Sequence, residues 1–133
     1  MNLSQGLSSA GKLIKVQNMR ILVAAQYTRK LGPRYINQSE KHDTGEEFRE
    51  KFLLPALKDC IGKEEELYVV FDGCSGAGVS FLEESFGGLI RAGIDYQDIK
   101  KWLRIIWDAN PRKKAQAEGY IEKAYNDQQE KGV

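Results

Sequence analysis

Apolar residues cluster along the chain in short runs that predict strands. The run Ile21–Ala25 is apolar on both faces, which is typical of a strand buried inside a sheet. Leu67–Phe71 and Trp102–Trp107 are further apolar runs of strand length, and the first of them precedes a glycine-rich turn. A shorter run, Leu13–Val16, is separated from the first run by the turn-prone Asn18 and predicts an additional strand.

A helical pattern begins at Thr44. Thr44 and Glu47 have the spacing of a capping box, in which each side chain bonds the other's backbone amide. Apolar residues then recur at every fourth position, namely Phe48, Phe52, Ala56 and Cys60, and with Leu53 and Leu57 beside them they form one apolar stripe. Pro55 lacks a backbone donor and predicts a kink or a division of this helix, and Gly62 predicts its end.

Two further helices are expected. Ser80 is a candidate N-cap for the first, with Glu83 as its capping-box partner. The Gly87-Gly88 pair weakens this helix, which either close packing against a sheet or a partner or disorder at the end of the helix would explain. The last helix starts at Asn110-Pro111, with asparagine as cap and proline at the first position.

The order of elements is therefore β-β-α-β-α-β-α, with a short helical turn over Tyr96–Lys100 and a short edge strand over Arg34–Asn37. This order predicts an α/β fold in which helices pack on a small mixed sheet. We expect a flexible leader over 1–18 that includes the extra strand, one domain over 19–126, and a polar tail over 127–133.

The composition excludes several classes of function. The chain has 133 residues with 20 Lys plus Arg and 19 Asp plus Glu, a balance that disfavours proteins that coat nucleic acid or anionic membranes. It shows no signal peptide and no apolar run of the ~20 residues that a membrane helix needs, so we expect a cytoplasmic protein. Two cysteines, Cys60 and Cys74, and one histidine, His42, offer neither a disulfide framework nor a zinc ligand set. No cofactor and no metal are expected.

The turn from Gly73 to Ser80 superficially resembles a phosphate loop. Val79 stands where that motif requires lysine, and Phe81 stands where a dinucleotide fingerprint requires a small residue. The glycines Gly73, Gly76 and Gly78 are explained by a tight strand-to-helix turn, although the turn's amides could also form a nest for an anion.

Ser80 has two interpretations, a helix cap or a regulatory serine on an exposed edge, and Ser75 is a weaker candidate for regulation. Asp72 and Glu84 could approach each other near the turn and do acid/base work. A salt bridge from a carboxylate to Arg34 or Arg49 is the alternative explanation.

Several segments carry a resemblance to a known family. They are Gly32-Pro33-Arg34-Tyr35, Thr44-Gly45-Glu46-Glu47-Phe48-Arg49, Leu53-Leu54-Pro55-Ala56-Leu57, Phe71-Asp72-Gly73 and Ser80-Phe81-Leu82-Glu83-Glu84-Ser85-Phe86-Gly87-Gly88-Leu89. Together they resemble the STAS-like family of unknown function, a prokaryotic family likened to the sulfate-transporter and anti-sigma-factor-antagonist domain. The family's members occur alone or beside a histidine-kinase-like ATPase module, which implies a role in protein interaction.

In antagonist domains a serine at the start of the helix after the central strand is phosphorylated, and the partner is then released. The nearest equivalent is Ser80, which stands between Val79 and Phe81 rather than in the usual Asp-Ser-Ser or Asp-Ser-Thr followed by glycine. The resemblance also groups Arg34, Glu46, Arg49 and Glu84 into a polar cluster.

The expected function is thus a non-enzymatic regulatory domain in signalling. It docks a protein partner, a kinase-like ATPase or an anti-sigma-type regulator, through the edge 73–88, and phosphorylation of Ser80 switches it. The residues expected at this edge are Asp72, Gly73, Ser75, Gly76, Gly78, Ser80 and Glu84. The alternatives are a small-ligand or nucleotide sensor that binds an anion at the 73–80 turn and, last, an enzyme that uses Asp72 and Glu84. No nucleic-acid or membrane partner is expected, and a homodimer stays open.

Overall fold

A computed structural model describes residues 5–7, 13–15, 18–76 and 78–131, the first two ranges as backbone strands. These strands, β1 (Gln5–Leu7) and β2 (Leu13–Lys15), pair antiparallel in a two-stranded sheet. The main sheet consists of β3 (Asn18–Leu22), β4 (Glu66–Val70) and β5 (Leu103–Ile106), all parallel, with β4 in the centre. The α/β class is confirmed, but the three-stranded sheet is parallel rather than mixed, because the hairpin forms a separate sheet.

Five helices accompany the strands in the described part of the chain. They are α1 (Val23–Gln26), α2 (45–63), α3 (79–91), α4 (Tyr96–Trp102) and α5 (Pro111–Lys131). Both α2 and α3 contain a π-helical turn, over Arg49–Leu53 and Glu83–Gly87 respectively. Each widened turn interrupts otherwise regular α-helix.

The structure corrects two of the predicted strands. The strand expected over Ile21–Ala25 ends at Leu22, and the chain turns at once into α1. The edge strand expected over Arg34–Asn37 is instead a 3-10 turn over Ile36–Gln38, because side chains satisfy its backbone. The N–H of Tyr35 donates to Gln38 Oε1 and the N–H of Ile36 donates to Glu46 Oε1.

The polar tail expected over 127–133 is helical as far as Lys131. An ion pair one turn apart, between Lys123 and Asp127, supports this last part of α5. Residues 1–4, 8–12, 16–17 and 132–133 of the predicted leader and tail lie outside the described residues.

Helix α2 accommodates Pro55 without a break in the helix. Thr44 caps the helix as predicted, since its hydroxyl oxygen accepts the N–H of Glu47 at 3.1 Å. Pro55 lies just after the π-helical turn, where a widened turn accommodates its missing donor. The predicted apolar stripe faces the core: Phe48, Leu53, Leu57 and Cys60 are buried, and Phe52 and Ala56 are partly buried and pack against them.

Helix α2 ends one residue after Gly62, the residue at which the sequence predicts its end. Gly62 lies inside α2, and Glu64, in the left-handed conformation with φ of 56°, follows its last residue.

The core lies against one face of the sheet. Side chains on that face are buried, namely Ile21, Leu67, Val69, Leu103 and Ile105, whereas those on the opposite face are part-exposed. Stacked aromatic rings extend the core beyond the strands, with Phe71 and Trp107 centred 4.9 Å apart and Phe48 and Phe81 5.6 Å apart. The rings of Phe48 and Phe81 join the first turns of α2 and α3.

This helix contact is close. A Cβ built on Gly45 would lie 2.5 Å from the carbonyl oxygen of Phe81, so only glycine allows the approach. The hydroxyl of Ser85 donates to the carbonyl of Gly45 at 3.2 Å and ties the helices together. The starts of α2 and α3 therefore form one rigid block beside the turn that follows β4.

Candidate functional site

The turn after β4 is fixed by contacts to its neighbours. The carboxylate of Asp72 accepts the backbone N–H groups of Asp108 at 3.2 Å and Ala109 at 2.8 Å. Asp72 thereby holds the loop that follows β5, and its acceptor oxygens already have partners.

The glycines of this turn adopt the backbone conformations that the sequence predicts. Gly73, Gly76 and Gly78 have φ of 95°, 103° and 69°, a region that side chains disfavour. The turn is also bonded to the segment 29–31, since the N–H of Ser75 donates to the carbonyl of Arg29 at 2.7 Å and the carbonyl of Ser75 accepts from Leu31 at 2.9 Å. The amide of Ser75 is therefore already used within the protein.

Ser80 lies inside the helix rather than at its cap. Helix α3 begins at Val79, and its N-cap is Gly78, whose positive φ turns the chain into the helix. The predicted capping role of Ser80 is wrong, and its predicted capping-box partner Glu83 bonds arginines instead. Ser80 is exposed to solvent in the first turn of α3.

A groove of about 740 Å³ runs beside Ser80. One wall is the helix start, residues 78–80, and the other is formed by residues 30–33, 38–41 and 43. The groove includes two lysines, Lys30 and Lys41, and two acidic residues, Glu40 and Asp43.

Exposed apolar side chains accompany the groove. Val79 is 46% exposed on the helix wall. Tyr35 and Ile36, in the loop between the two segments of the opposite wall, are 46% and 43% exposed. Such side chains beside a charged groove are typical of a surface that contacts another protein.

Three arginines and two glutamates, none of which lines the groove, bond one another. Arg34 contacts Glu83 and, at 3.2 Å, Glu84 Oε1. Arg49 donates to Glu84 Oε2 at 2.6 Å and to the carbonyl of Glu84 at 2.7 Å. Arg91 reaches Glu83 at 2.8 Å. We call these five side chains the arginine–glutamate cluster.

The cluster settles the interpretation of Glu84. Its carboxylate pairs with both Arg34 and Arg49, while Asp72 bonds the loop after β5, so the two carboxylates have separate partners. Glu46, the remaining member of the predicted polar cluster, accepts the N–H of Ile36 and bonds none of the three arginines.

Two members of the cluster, Glu83 and Arg91, were not foreseen as site residues. Gly87 carried the signal for them, and Gly88 carried one for Arg49. A Cβ built on Gly87 would lie 2.6 Å from Glu83 Oε2 and 3.2 Å from Arg91 Nη1. A Cβ on Gly88 would lie 2.8 Å from Arg49 Cδ. The glycine pair leaves room for ionic side chains, and this is the close packing that the sequence left unspecified.

The cluster shifts the ionisation of its members. Burial raises the pKa of Glu83, but hydrogen bonds and charge attraction from Arg91 and Arg34 outweigh it, so the pKa is lowered overall. The hydrogen bond to Glu83 raises the pKa of both Arg34 and Arg91. These groups are charged at neutral pH.

The remaining candidates for metal binding or nucleophilic catalysis, the histidine and the two cysteines, lie in structural environments. Within the described ranges, no three His, Cys, Asp or Glu residues come together as metal ligands. His42 bonds the carboxylate of Glu47. The thiol of Cys74 lies 3.4 Å from the carbonyl of Thr28, and burial raises its pKa to about 11. Burial also raises the pKa of Cys60. Both thiols are therefore protonated at neutral pH, and neither is an activated nucleophile.

Comparison with known proteins gives a family match. A family model described as "STAS-like domain of unknown function (DUF4325)" matches residues 44–112, just over half of the chain. The match begins at the cap of α2 and includes β4, Ser80 and β5. No curated protein and no solved structure matches the chain.

Among the described residues, none of the helices combines the length and apolar character needed to cross a membrane.

Proposed function

The chain belongs to the family of STAS-like domains of unknown function, and we propose that it is a regulatory protein-interaction domain without catalytic activity of its own. It docks a protein partner in the cytoplasm, and phosphorylation of Ser80 switches the docking. The partner is a kinase-like ATPase of the histidine-kinase type or an anti-sigma-type regulator, as the resemblance to antagonist domains implies.

The position of Ser80 is the observation that carries this proposal. Its side chain is exposed in the first turn of a helix and lies on the wall of a groove, so a kinase could reach it without unfolding the domain. A phosphate there would meet the free amides of the helix start and the lysines Lys30 and Lys41 in the same groove.

The docking surface is smaller than the segment 73–88. Most of α3 is buried, including Phe81, Leu82 and residues 84–88. The accessible part comprises the turn at 73–76, Val79 and Ser80, together with the loop 30–43 on the opposite wall. Apolar contacts to Val79 and Ile36 would supply the binding free energy, and the charged groove would supply specificity.

Affinity measurements with a purified partner test this proposal. The probe is a purified ATPase of the histidine-kinase type, and its Kd for the chain is measured by calorimetry. We expect Val79→Glu and Ser80→Asp to weaken binding at least tenfold. The matched controls are Leu22→Glu, an equally exposed apolar residue on the sheet, and Ala115→Asp, an exposed residue of α5, and both should bind like the wild type. Equal affinity in all five proteins would contradict the proposed surface.

A phosphorylation assay tests the switch separately. Incubation with the ATPase and ATP should transfer one phosphate to the chain, and mass spectrometry should locate it at Ser80. The Ser80→Ala variant should remain unmodified, whereas Ser75→Ala should be modified like the wild type. Transfer to another residue would contradict the role of Ser80.

The alternative function is a sensor for a small anion or nucleotide at the 73–80 turn. The two lysines of the groove favour it, although the amide of Ser75 is already bonded within the protein. A ligand that binds the folded state raises the melting temperature by mass action. Thermal unfolding with phosphate, ATP and cyclic nucleotides should raise the Tm only if this alternative is right.

A further inference from the structure

Arg34 joins the loop of the groove to helix α3. Its guanidinium bonds Glu83 and Glu84, while its backbone directly follows Pro33, the last residue of the groove's 30–33 segment. That backbone is fixed, because the carbonyl of Arg34 accepts the N–H of Glu46 at 2.9 Å. Any change in what Arg34 binds is therefore a movement of its side chain alone.

The two glutamates do not depend on Arg34 for charge compensation. Glu84 has Arg49 at 2.6 Å, and Glu83 has Arg91 at 2.8 Å. Arg49 is held tightly, since its side chain is 12% exposed and packs over Gly88. The Arg34 side chain is 28% exposed, and its departure would leave Glu83 with Arg91 and Glu84 with Arg49 and, at 3.7 Å, Arg91. Arg34 is thus a cation in the cluster that can be exchanged at low cost.

Ser80 lies one helical turn before both glutamates. Positions three and four residues apart on a helix are neighbours on its surface, so the side chain of Ser80 lies beside those of Glu83 and Glu84. A phosphate on Ser80 would carry nearly two negative charges next to these carboxylates, and an arginine would offset this repulsion in addition to the groove lysines Lys30 and Lys41. An arginine binds a phosphate through two parallel hydrogen bonds, more strongly than a single carboxylate contact.

We propose that Arg34 reads the phosphorylation state of Ser80. This inference rests on the proposed function, which supplies the phosphate. In the unmodified protein the guanidinium of Arg34 binds Glu83 and Glu84. In the phosphorylated protein it transfers to the phosphate, and Arg49 and Arg91 keep the two glutamates neutralised. The transfer removes Arg34 from the ring of Tyr35, over which it lies at 5.9 Å, and so changes the exposed surface that faces a partner.

Phosphorus NMR of the purified protein tests the inference without a partner. Phosphoserine is incorporated at position 80 during translation, and the second ionisation of the phosphate is followed with pH. We expect its pKa to be lower by about one unit in the protein with Arg34 than in Arg34→Gln, because a bound guanidinium favours the dianion. The matched control is Arg91→Gln, which removes an arginine from the same cluster, and it should change the phosphate pKa by less than half as much.

Further variants separate the possible outcomes. Arg34→Lys keeps a positive charge at this position and serves as a second variant if Arg34→Gln does not fold. It should give an intermediate phosphate pKa, because lysine cannot form the two parallel hydrogen bonds of an arginine. Identical titration with arginine, lysine and glutamine at position 34 would overturn the inference. The inference would also be overturned if the lowering of the phosphate pKa disappeared only in Lys41→Gln, since Lys41 would then be the residue that binds the phosphate.

Failure of the proposed function has a different signature. If phosphorylated and unmodified proteins bind the partner equally well, the proposed switch is wrong, whatever Arg34 does. If binding responds to phosphorylation but the phosphate titrates identically in the Arg34 variants, the switch stands and the role of Arg34 is wrong.

Discussion

The side chain of Arg49 fills the space that a side chain on Gly88 would occupy. A Cβ on Gly88 would lie 2.8 Å from Arg49 Cδ, closer than nonbonded carbon atoms approach. The glycine is therefore a packing partner of an arginine in the interior of a helix, where glycine otherwise lowers stability. Through this contact the two π-helical turns face each other and bring Arg49 to Glu84.

Replacement of Gly88 by alanine should destabilise the protein. Arg49 would have to move away from Glu84, and overpacking of this kind costs about 1–3 kcal/mol. The matched control is Gly62→Ala in α2, where a new Cβ meets no atom within 4 Å. That substitution should stabilise the protein by about 0.5–1 kcal/mol through helix propensity. Urea denaturation measures both, and equal stability of the two variants would contradict the packing role of Gly88.

Replacement of Glu84 by glutamine should also be costly. The side chains of Arg49 and Glu84 are 12% and 11% exposed, so the change leaves a largely buried arginine with only the more exposed carboxylate of Glu50, at 3.7 Å. Loss of one partner of such a pair should lower the free energy of unfolding by about 2–3 kcal/mol. The control, Glu118→Gln, breaks the exposed pair with Lys114 and should cost less than about 0.5 kcal/mol. A Glu84 variant as stable as this control would show that the pair contributes little.

Stability should fall in acid through identified carboxylates. Burial raises the pKa of Glu83, yet bonds from Arg91 and Arg34 lower it overall from 4.5. The hydrogen bond from Lys51 lowers the pKa of Glu47, helped by one from His42. A carboxylate with a lower pKa in the folded state stabilises the protein above its unfolded pKa, and this contribution is lost as the pH falls through the folded pKa.

We therefore expect the free energy of unfolding, measured in urea, to be constant near neutrality and to decline below about pH 4.5. Glu83→Gln should give a shallower decline than the wild type, because one of the responsible groups no longer titrates. An identical slope would mean that Glu83 has the same pKa in the folded and unfolded protein.

Both thiols should be slow to react in the folded protein. Burial raises the pKa of Cys60 and raises that of Cys74 to about 11, so little thiolate is present at neutral pH. A disulfide reagent such as Ellman's should modify both rapidly only after denaturation. The variants Cys74→Ser and Cys60→Ser show which cysteine gives each phase of the modification reaction. Cys74 should react first as the pH rises because its side chain is part-exposed. Rapid modification of Cys74 at neutral pH would contradict its raised pKa.

The sequence predicted much of the architecture because local signals and tertiary packing agree. The apolar runs that became β4 and β5, the cap at Thr44 and the Asn110-Pro111 helix start each depend on nearest neighbours in the chain. The α/β class followed from their order.

The site was less accessible to such reasoning. Arg34 and Glu84 were predicted to interact, but the contribution of Arg91 depends on Gly87, which leaves room for it. Ser80 matches the preference for a cap, yet Gly78 starts the helix two residues earlier because it can adopt a positive φ. Asp72 was assigned to a surface edge, and its bonds to the loop after β5 arise from sheet order, which spacing along the chain does not reveal.

The π-helical turns of α2 and α3 have a consequence for how relatives of this chain are compared. Each such turn is equivalent to one inserted residue in a regular helix, and everything after it is rotated by about 100°. A relative that lacks the extra residue would need a one-position gap within 49–53 or 83–87 to bring its core residues into alignment. Gaps at those two places would then record an ancestral insertion that created the meeting point of Arg49 and Glu84.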